Sequence, residues 1–397
     1  MTPEPTNGTD VIIVGAGHAG LSAAAALHRR GLRVLLAEQE ERVGRPWLAR
    51  YSALRLNTER WGSRLPGLKM ARGDHRWPSA TEFASYLAAY AARQPFEIRF
   101  RTEVTRIDIS GTAYVARTPQ GDLHGTFVVL ATGPDRLPRL PSWPGLADWQ
   151  GEVLHSAGYR EPGPYRGRSV LVVGGGESAA DIAGDLVRGG AGAVSLAIRT
   201  PPYIQQPSVL GIPAQALAIM ATRQPPWLFD MFAELSRRAT TGDLSGYGLF
   251  RPPSLHQTAR VQGKAPILDR GFVQMVRSGA IRIHPAVTGT TAHEVQLADG
   301  STARPDVLLL ATGFEPGLGP VVGHLGVLAP DGRPTVAGSH TDARAPGLFF
   351  AGYTPELAGN IREGKYTAAR IAKEIAIRAR ARGETSAHRP VDISAPH

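Results

Sequence analysis

Val11-Ile12-Ile13-Val14-Gly15-Ala16-Gly17-His18-Ala19-Gly20 is the stretch that decides the fold of this chain. Four β-branched residues in a row read as a strand buried in a parallel sheet. Each glycine that follows has its own task. Gly15 permits a tight turn, Gly17 lets the main chain approach a diphosphate, and Gly20 lets a helix pack closely on the strand. His18 and Ala19 complete the turn, the Ala-rich segment Leu21 to Arg30 carries the helix, and Gly31 suits its stop. Unpaired N–H groups and the positive end of the dipole make the start of such a helix a resting place for an anion.

The next strand, Leu32 to Ala37, ends at Glu38. A carboxylate there accepts hydrogen bonds from ribose hydroxyls and repels a ribose 2′-phosphate, so the site suits FAD or NAD rather than NADP. Its place near the N-terminus favours FAD, with Gln39 and Val104 expected beside it.

The whole unit recurs. Ser169 to Val173 repeats the strand, and Gly174-Gly175-Gly176-Glu177-Ser178-Ala179 repeats the turn 159 residues after the first. A helix is expected from Ser178 to Arg188, stopped by Gly189-Gly190. Ala179 replaces the third glycine, small enough for close packing. The following strand, Ala193 to Ile198, ends at Arg199-Thr200, where the first unit has Glu38-Gln39. A guanidinium clamps a 2′-phosphate in a forked geometry, which assigns NADPH to this second site. Gly174, Gly176, Glu177, Ser178, Arg199 and Thr200 are its candidate contacts.

A further repeat marks the crossings between two lobes. Val128 to Gly133 and Leu308 to Gly313 are apolar runs that both close on Ala-Thr-Gly, namely Ala131-Thr132-Gly133 and Ala311-Thr312-Gly313. Pro134 to Pro164, dense in Pro and Gly, reads as linker. Leu348 to Gly352 is another strand closing on a glycine, and Asn360 to Ile377 is helical. That helix can aim its positive end at a flavin. The expectation is an α/β protein with two Rossmann-like dinucleotide-binding lobes: residues 1–145 and 311–397 for FAD, and 146–310 for NADPH.

Bulk properties agree and exclude rivals. At 397 residues, 42% apolar and 20% charged, the chain is long enough for two cores and reads as soluble. No run approaches the roughly 20 apolar residues of a membrane helix, so no membrane partner is expected. Met1 to Thr9 reads as a loose polar tail without an export signal, and the cytoplasm is the expected compartment. The net charge of +10 is spread along the chain without a recognition motif, so no nucleic acid is expected either. Cysteine is absent, which removes a redox-active disulfide, thiolate metal sites and iron–sulfur clusters. The 12 histidines show no metal-ligand spacing, so no metal is expected.

With both fingerprints in place, the chain resembles the class B flavin-dependent monooxygenases, specifically the flavin-containing and YUCCA-type branch, over residues 10–380. Trp149 to Tyr159 is similar to the family's aromatic-x-Gly-x-x-x-His-x-x-x-aromatic signature, with His155 as its histidine. Gly242 to Leu249 and Pro266 to Phe272 are similar to YUCCA-type motifs. The resemblance implies a glutathione-reductase-like arrangement of the lobes. It also implies a cycle in which NADPH reduces FAD, and O2 adds to the flavin to give a C4a-(hydro)peroxyflavin. One oxygen atom then passes to a small organic substrate, by N- or S-oxygenation, Baeyer–Villiger insertion or oxidative decarboxylation of a 2-oxo acid. Two alternatives share the fold: an NADPH-dependent oxidase or reductase with another electron acceptor, and a non-catalytic redox-sensing flavoprotein.

The chain departs from the family at Gly44-Arg45-Pro46-Trp47, where Gly-Gly-x-Trp is common, and at His18, where Pro is common. Trp47 remains the expected wall of the cofactor site, and Gly352 joins the cofactor contacts. Asn57, whose amide can hydrogen-bond the reacting oxygen or the cofactor, is the catalytic candidate. Residues 42–76 hold nine Lys/Arg against Glu59 and Asp74, which suits cofactor phosphates or an anionic or carrier-tethered substrate. Residues 201–266, rich in Pro, Gly and aromatics, are expected to form a lid-like insertion with helices over 213–221 and 227–239. The sequence leaves the oligomeric state open, a homo-oligomer included.

Overall fold

A computed structural model describes residues 9–221, 225–258, 265–354 and 359–383. Within them, no helix is long and apolar enough to cross a membrane, and no group of His, Asp or Glu is arranged to hold a metal ion. The N-terminal tail to residue 8 lies outside the described residues, as do 222–224 and 259–264 of the 201–266 insertion.

Two mainly parallel sheets form, their central strands apolar runs buried on both faces. In the first, Glu97–Arg99, Val34–Ala37, Thr9–Val14 and Leu123–Leu130 lie side by side. The register sets Ile13 between Leu36 and Val129. Leu123–Leu130 is divided between two partners. Its first half pairs with the antiparallel hairpin Arg106–Ser110 and Ala113–Arg117, and its second half takes Leu348–Phe350 in parallel. On one face the helix His18–His28 packs against the long helix Asn360–Ala381, burying Val11, Ile13, Leu21, Leu36, Ile371 and Ile375. Each such side chain contributes about 1.5–3 kcal/mol. The helix begins at His18 rather than Leu21, because the turn itself supplies its first residues.

The second sheet repeats the first in the order Ile281–His284, Ala193–Ala197, Ser169–Val173, Val307–Leu310 and Glu152–His155, all parallel. The helix Glu177–Arg188 covers one face. Glu152–His155 corrects the linker reading of 134–164. It is the edge strand, and with Val153 at 44% exposure its four residues carry no apolar pattern that could announce it. The strands Leu123–Leu130 and Val307–Leu310 end before the two Ala-Thr-Gly triplets, which leave the sheets through Gly133 (φ +84°) and Gly313 (φ +88°). Beyond them Leu137–Pro138 pairs antiparallel with Phe314–Glu315, so the two crossings form one ribbon.

The insertion places helices at Ala214–Ala221 and Pro226–Thr240. Its Gln215 Oε1 accepts the Glu59 N–H at 3.2 Å, reaching across to the first lobe. Contact also runs the other way. Tyr51, on the first-lobe segment, is 3% exposed inside the second lobe's core, its ring 6.2 Å from that of Tyr159.

Candidate nucleotide sites and the cleft between them

The two glycine turns share one hydrogen-bond plan. Gly15 N–H donates to Ala37 O (2.8 Å) and Ala131 N–H to Val14 O (2.8 Å); Gly174 N–H donates to Ala197 O (3.0 Å) and Ala311 N–H to Val173 O (2.9 Å). Gly15 (φ +100°) and Gly174 (φ +151°) adopt backbone that L side chains avoid. A Cβ on either would strike the carbonyl oxygen of Ala131 or Ala311, at 2.8 and 2.3 Å. At Gly17 and Gly176 the opposite holds, since a Cβ would meet nothing within 4 Å. That open space at both helix starts is the cradle a diphosphate fills, and the residues present fit FAD and NADPH there.

Around the first turn a groove of about 400 Å³ gathers Gly15, Gly17, Glu38, Gln39, Val104, Ala131 and Thr132, all expected from the sequence. Glu38 is 8% exposed, with Oε2 accepting the Ala16 N–H (2.7 Å) and Oε1 the Glu40 N–H (3.0 Å). Those bonds fix the carboxylate beside the groove. Ala19 and Gly20 are buried in the helix, and a Cβ on Gly20 would lie 1.9 Å from Gly15 O. The His18 ring hydrogen-bonds the Asn360 main chain, and burial drives its pKa down to about 4. Its Nε2 lies against Gly364, buried and without a hydrogen-bond partner among the described residues.

At the second turn Ala179 is fully buried, the Thr200 carbonyl packs against Gly175, and Arg199 is exposed at the end of its strand. The Ala-Thr-Gly triplets contribute differently. Thr132 Oγ1 shares a hydrogen bond with Tyr353 OH (2.7 Å), whereas Thr312 Oγ1 donates to Arg139 O (2.5 Å) and so ties one crossing to the other. His155 belongs to the same join. Its Nδ1 accepts the Ala157 N–H (3.1 Å), so Nε2 carries the proton and donates to Gly313 O (3.1 Å). The ring also stands edge-on to Phe314 at 5.1 Å. Thr312, Gly313 and His155 therefore form part of the crossing, and Ala311 the floor beneath Gly174.

Between the lobes lies a cleft of about 460 Å³. Of the expected residues it brings together Trp47, Asn57, Glu177, Ser178 and Gly352. Gly44 (φ +82°) turns the chain into the short helix that carries Trp47, whose ring is held edge-on by Phe83 at 4.9 Å. Asn360 and Ile361 also line the cleft, so the long C-terminal helix enters it by its positive end.

Tyr51, Asp135, Asp181, Arg270, Arg333 and Tyr353 were not foreseen. Burial raises the pKa of Asp135 against the pull of Arg50 and Arg333. Arg270 donates to Leu56 O and Asn57 Oδ1, both at 3.1 Å, and its Nη1 stands 3.6 Å from Glu177 Oε1 and from Asp181 Oδ2. Glu177 and Asp181 are one helical turn apart, a spacing that puts two carboxyls on one face and could have been read from the sequence.

A family described as "Pyridine nucleotide-disulphide oxidoreductase" matches residues 12–211. The probable indole-3-pyruvate monooxygenase YUCCA9 of Arabidopsis thaliana is 30% identical over 361 residues, covering 88% of this chain and 85% of that protein. The indole-3-pyruvate monooxygenase YUCCA1 of Oryza sativa subsp. japonica is 31% identical over 309 residues, 76% of each. In fold, the chain is similar to a flavin-containing monooxygenase from Stenotrophomonas maltophilia, with a TM-score of 0.72 at 23% identity over 93% of this chain and 99% of that one.

Proposed function

Because this chain belongs to the class B flavin-dependent monooxygenases, enzymes that use FAD and NADPH to insert oxygen, we propose that its substrate is a small 2-oxo acid with an aromatic or bulky apolar side chain. The proposed reaction is oxidative decarboxylation, in the cytoplasm. One observation carries this reading: a single cleft is lined both by the aromatic side chains of Trp47 and Tyr353 and by Arg333. Rings take the side chain and the guanidinium takes the carboxylate. The names of the two plant relatives support the same substrate class.

Bound FAD, reduced by NADPH, supplies the activation of O2. The chain supplies position and dryness. Gly15, Gly17, Glu38, Gln39 and Val104 would hold the FAD adenosine and diphosphate, and Gly174, Gly176, Ser178, Arg199 and Thr200 the NADPH. Trp47 and Gln215, on opposite lobes, border the cleft and limit water. Asn57, fixed through Oδ1 by Arg270, lines the same cleft and would help position the bound groups there.

The test is coupled oxygen use across indole-3-pyruvate, phenylpyruvate, amines, sulfides and cyclic ketones. The expected result is one CO2 released per NADPH and per O2 with an aromatic 2-oxo acid. NADPH oxidation matched by hydrogen peroxide with every compound would identify an oxidase instead. Selective turnover of a sulfide or ketone would replace the substrate class.

A further inference from the structure

Glu177 occupies an awkward place. It is the first residue of the helix whose start is the anion cradle of the second lobe. An ionised carboxylate there opposes the nucleotide diphosphate, and Asp181 adds a second acid on the same helix face. The groups that face the pair come from three segments of the described residues. From its own helix come Asp181 and, beyond it, Asp185 and Arg188. The 51–57 segment contributes the Tyr51 hydroxyl, which donates to Asp181 Oδ2 at 3.1 Å, and the Asn57 amide, which faces Glu177. The 266–271 segment contributes Arg270 and the Leu268 N–H, which donates to Glu177 Oε2 at 3.1 Å. Glu177 Oε1 is buried and has no hydrogen-bond partner among the described residues.

Charge in this pocket does not balance with both acids ionised. Arg270 is one cation for two carboxylates, stands 3.6 Å from each, and is already hydrogen-bonded to Leu56 and Asn57. A diphosphate would add further negative charge. One proton held by the pair removes the conflict.

We propose that Glu177 stands at the nucleotide site as a neutral carboxylic acid, so that the helix start meets the bound NADPH without an opposing charge and ionisation of this carboxyl weakens nucleotide binding. The inference rests on the assignment of NADPH to the second lobe. Burial acts in its favour: it raises Glu177 to about 8, Asp181 adds to the rise, and Arg270 and Asn57 hold it down only in part. Asp181 is raised as well, while Tyr51 is pushed well above its ordinary value and does not titrate in the same window.

The experiment is calorimetric titration of the FAD-loaded protein with NADP⁺ from pH 7 to 9.5, where the nucleotide's own 2′-phosphate is fully ionised. Repeating it at pH 8.5 in two buffers of different ionisation enthalpy counts protons. Kd should be level to about pH 8, then weaken toward tenfold per pH unit, with up to one proton taken up per nucleotide. Glu177→Gln should bind with a level Kd throughout and no proton uptake. Asp181→Asn should move the onset of weakening to lower pH, because it removes a charge that raises Glu177. Visible absorbance of bound FAD confirms that each variant is folded. Tight binding with a flat profile and no proton exchange would overturn the inference. Failure of NADP⁺ to bind the native protein at any pH would overturn the nucleotide assignment itself.

Discussion

The two glycine turns are built to one plan and differ at four of their six positions, of which the fourth and the sixth matter most here. At the fourth, each lobe starts its helix with an ionisable side chain, His18 in one and Glu177 in the other. Burial neutralises both, moving the histidine down to about 4 and the acid up to about 8. Their surroundings separate them: His18 is sealed against the C-terminal helix at Gly364, whereas Glu177 borders the open cleft. At the sixth position the first lobe has Gly20, pressed on Gly15 O, and the second has Ala179, fully buried without clash. A shared motif thus fixes the backbone path while each lobe sets its own helix-to-turn clearance and its own local charge.

The sharpest way to break this comparison is Gly20→Ala. A Cβ there lies 1.9 Å from main-chain oxygen, so the helix must move, at about 3 kcal/mol or more. Purified protein should lose most of its flavin absorbance; full flavin content would show that the first helix yields as easily as the second. Arg199→Ala should come next. Losing a charge-assisted clamp of roughly 1.5–3 kcal/mol raises KM for NADPH ten- to a hundredfold and leaves KM for NADH unchanged. An unaltered NADPH-to-NADH ratio would remove Arg199 from the site.

The fourth positions predict opposite pH slopes of stability. His18 is neutral in the fold down to about pH 4, while the unfolded chain binds its proton below 6.5. Its stability contribution is therefore whole above pH 6.5 and falls toward pH 4, by up to ~1.4 kcal/mol per unit. Glu177 keeps its proton in the fold while the unfolded chain releases it above 4.5, so its contribution falls as pH rises from 4.5 to about 8. Denaturant midpoints measured across pH should lose the acid limb in His18→Asn and keep the alkaline one. The smallest effect belongs to Ala179→Gly, which should lower stability by about 1 kcal/mol through helix propensity and leave NADPH affinity intact.

Much of this was legible in the sequence because it is local. Strand, turn, helix and terminal acid or arginine follow one another within about 25 residues, and each is dictated by backbone geometry or charge. What escaped was long-range. Nothing near Tyr51 says that its ring packs beside Tyr159, and nothing near Arg270 says that it meets Asn57. The edge strand Glu152–His155 exists because Val307–Leu310 offers it main-chain partners, not because its own residues demand it. Thr132 and Thr312 sit in identical triplets yet bond to a ring hydroxyl in one case and a carbonyl in the other, a difference set by which segment returns beside them.

The burial of Tyr51 bears on how the enzyme can be dissected. A gene fragment covering only the second lobe would lack the phenol that plugs its interior and engages Asp181, leaving a ring-sized hole lined by Tyr159 and its neighbours. The matching first-lobe fragment would carry that phenol into water. Halves expressed apart should consequently be less stable than the join between them suggests, and mixing them should restore more than either retains alone.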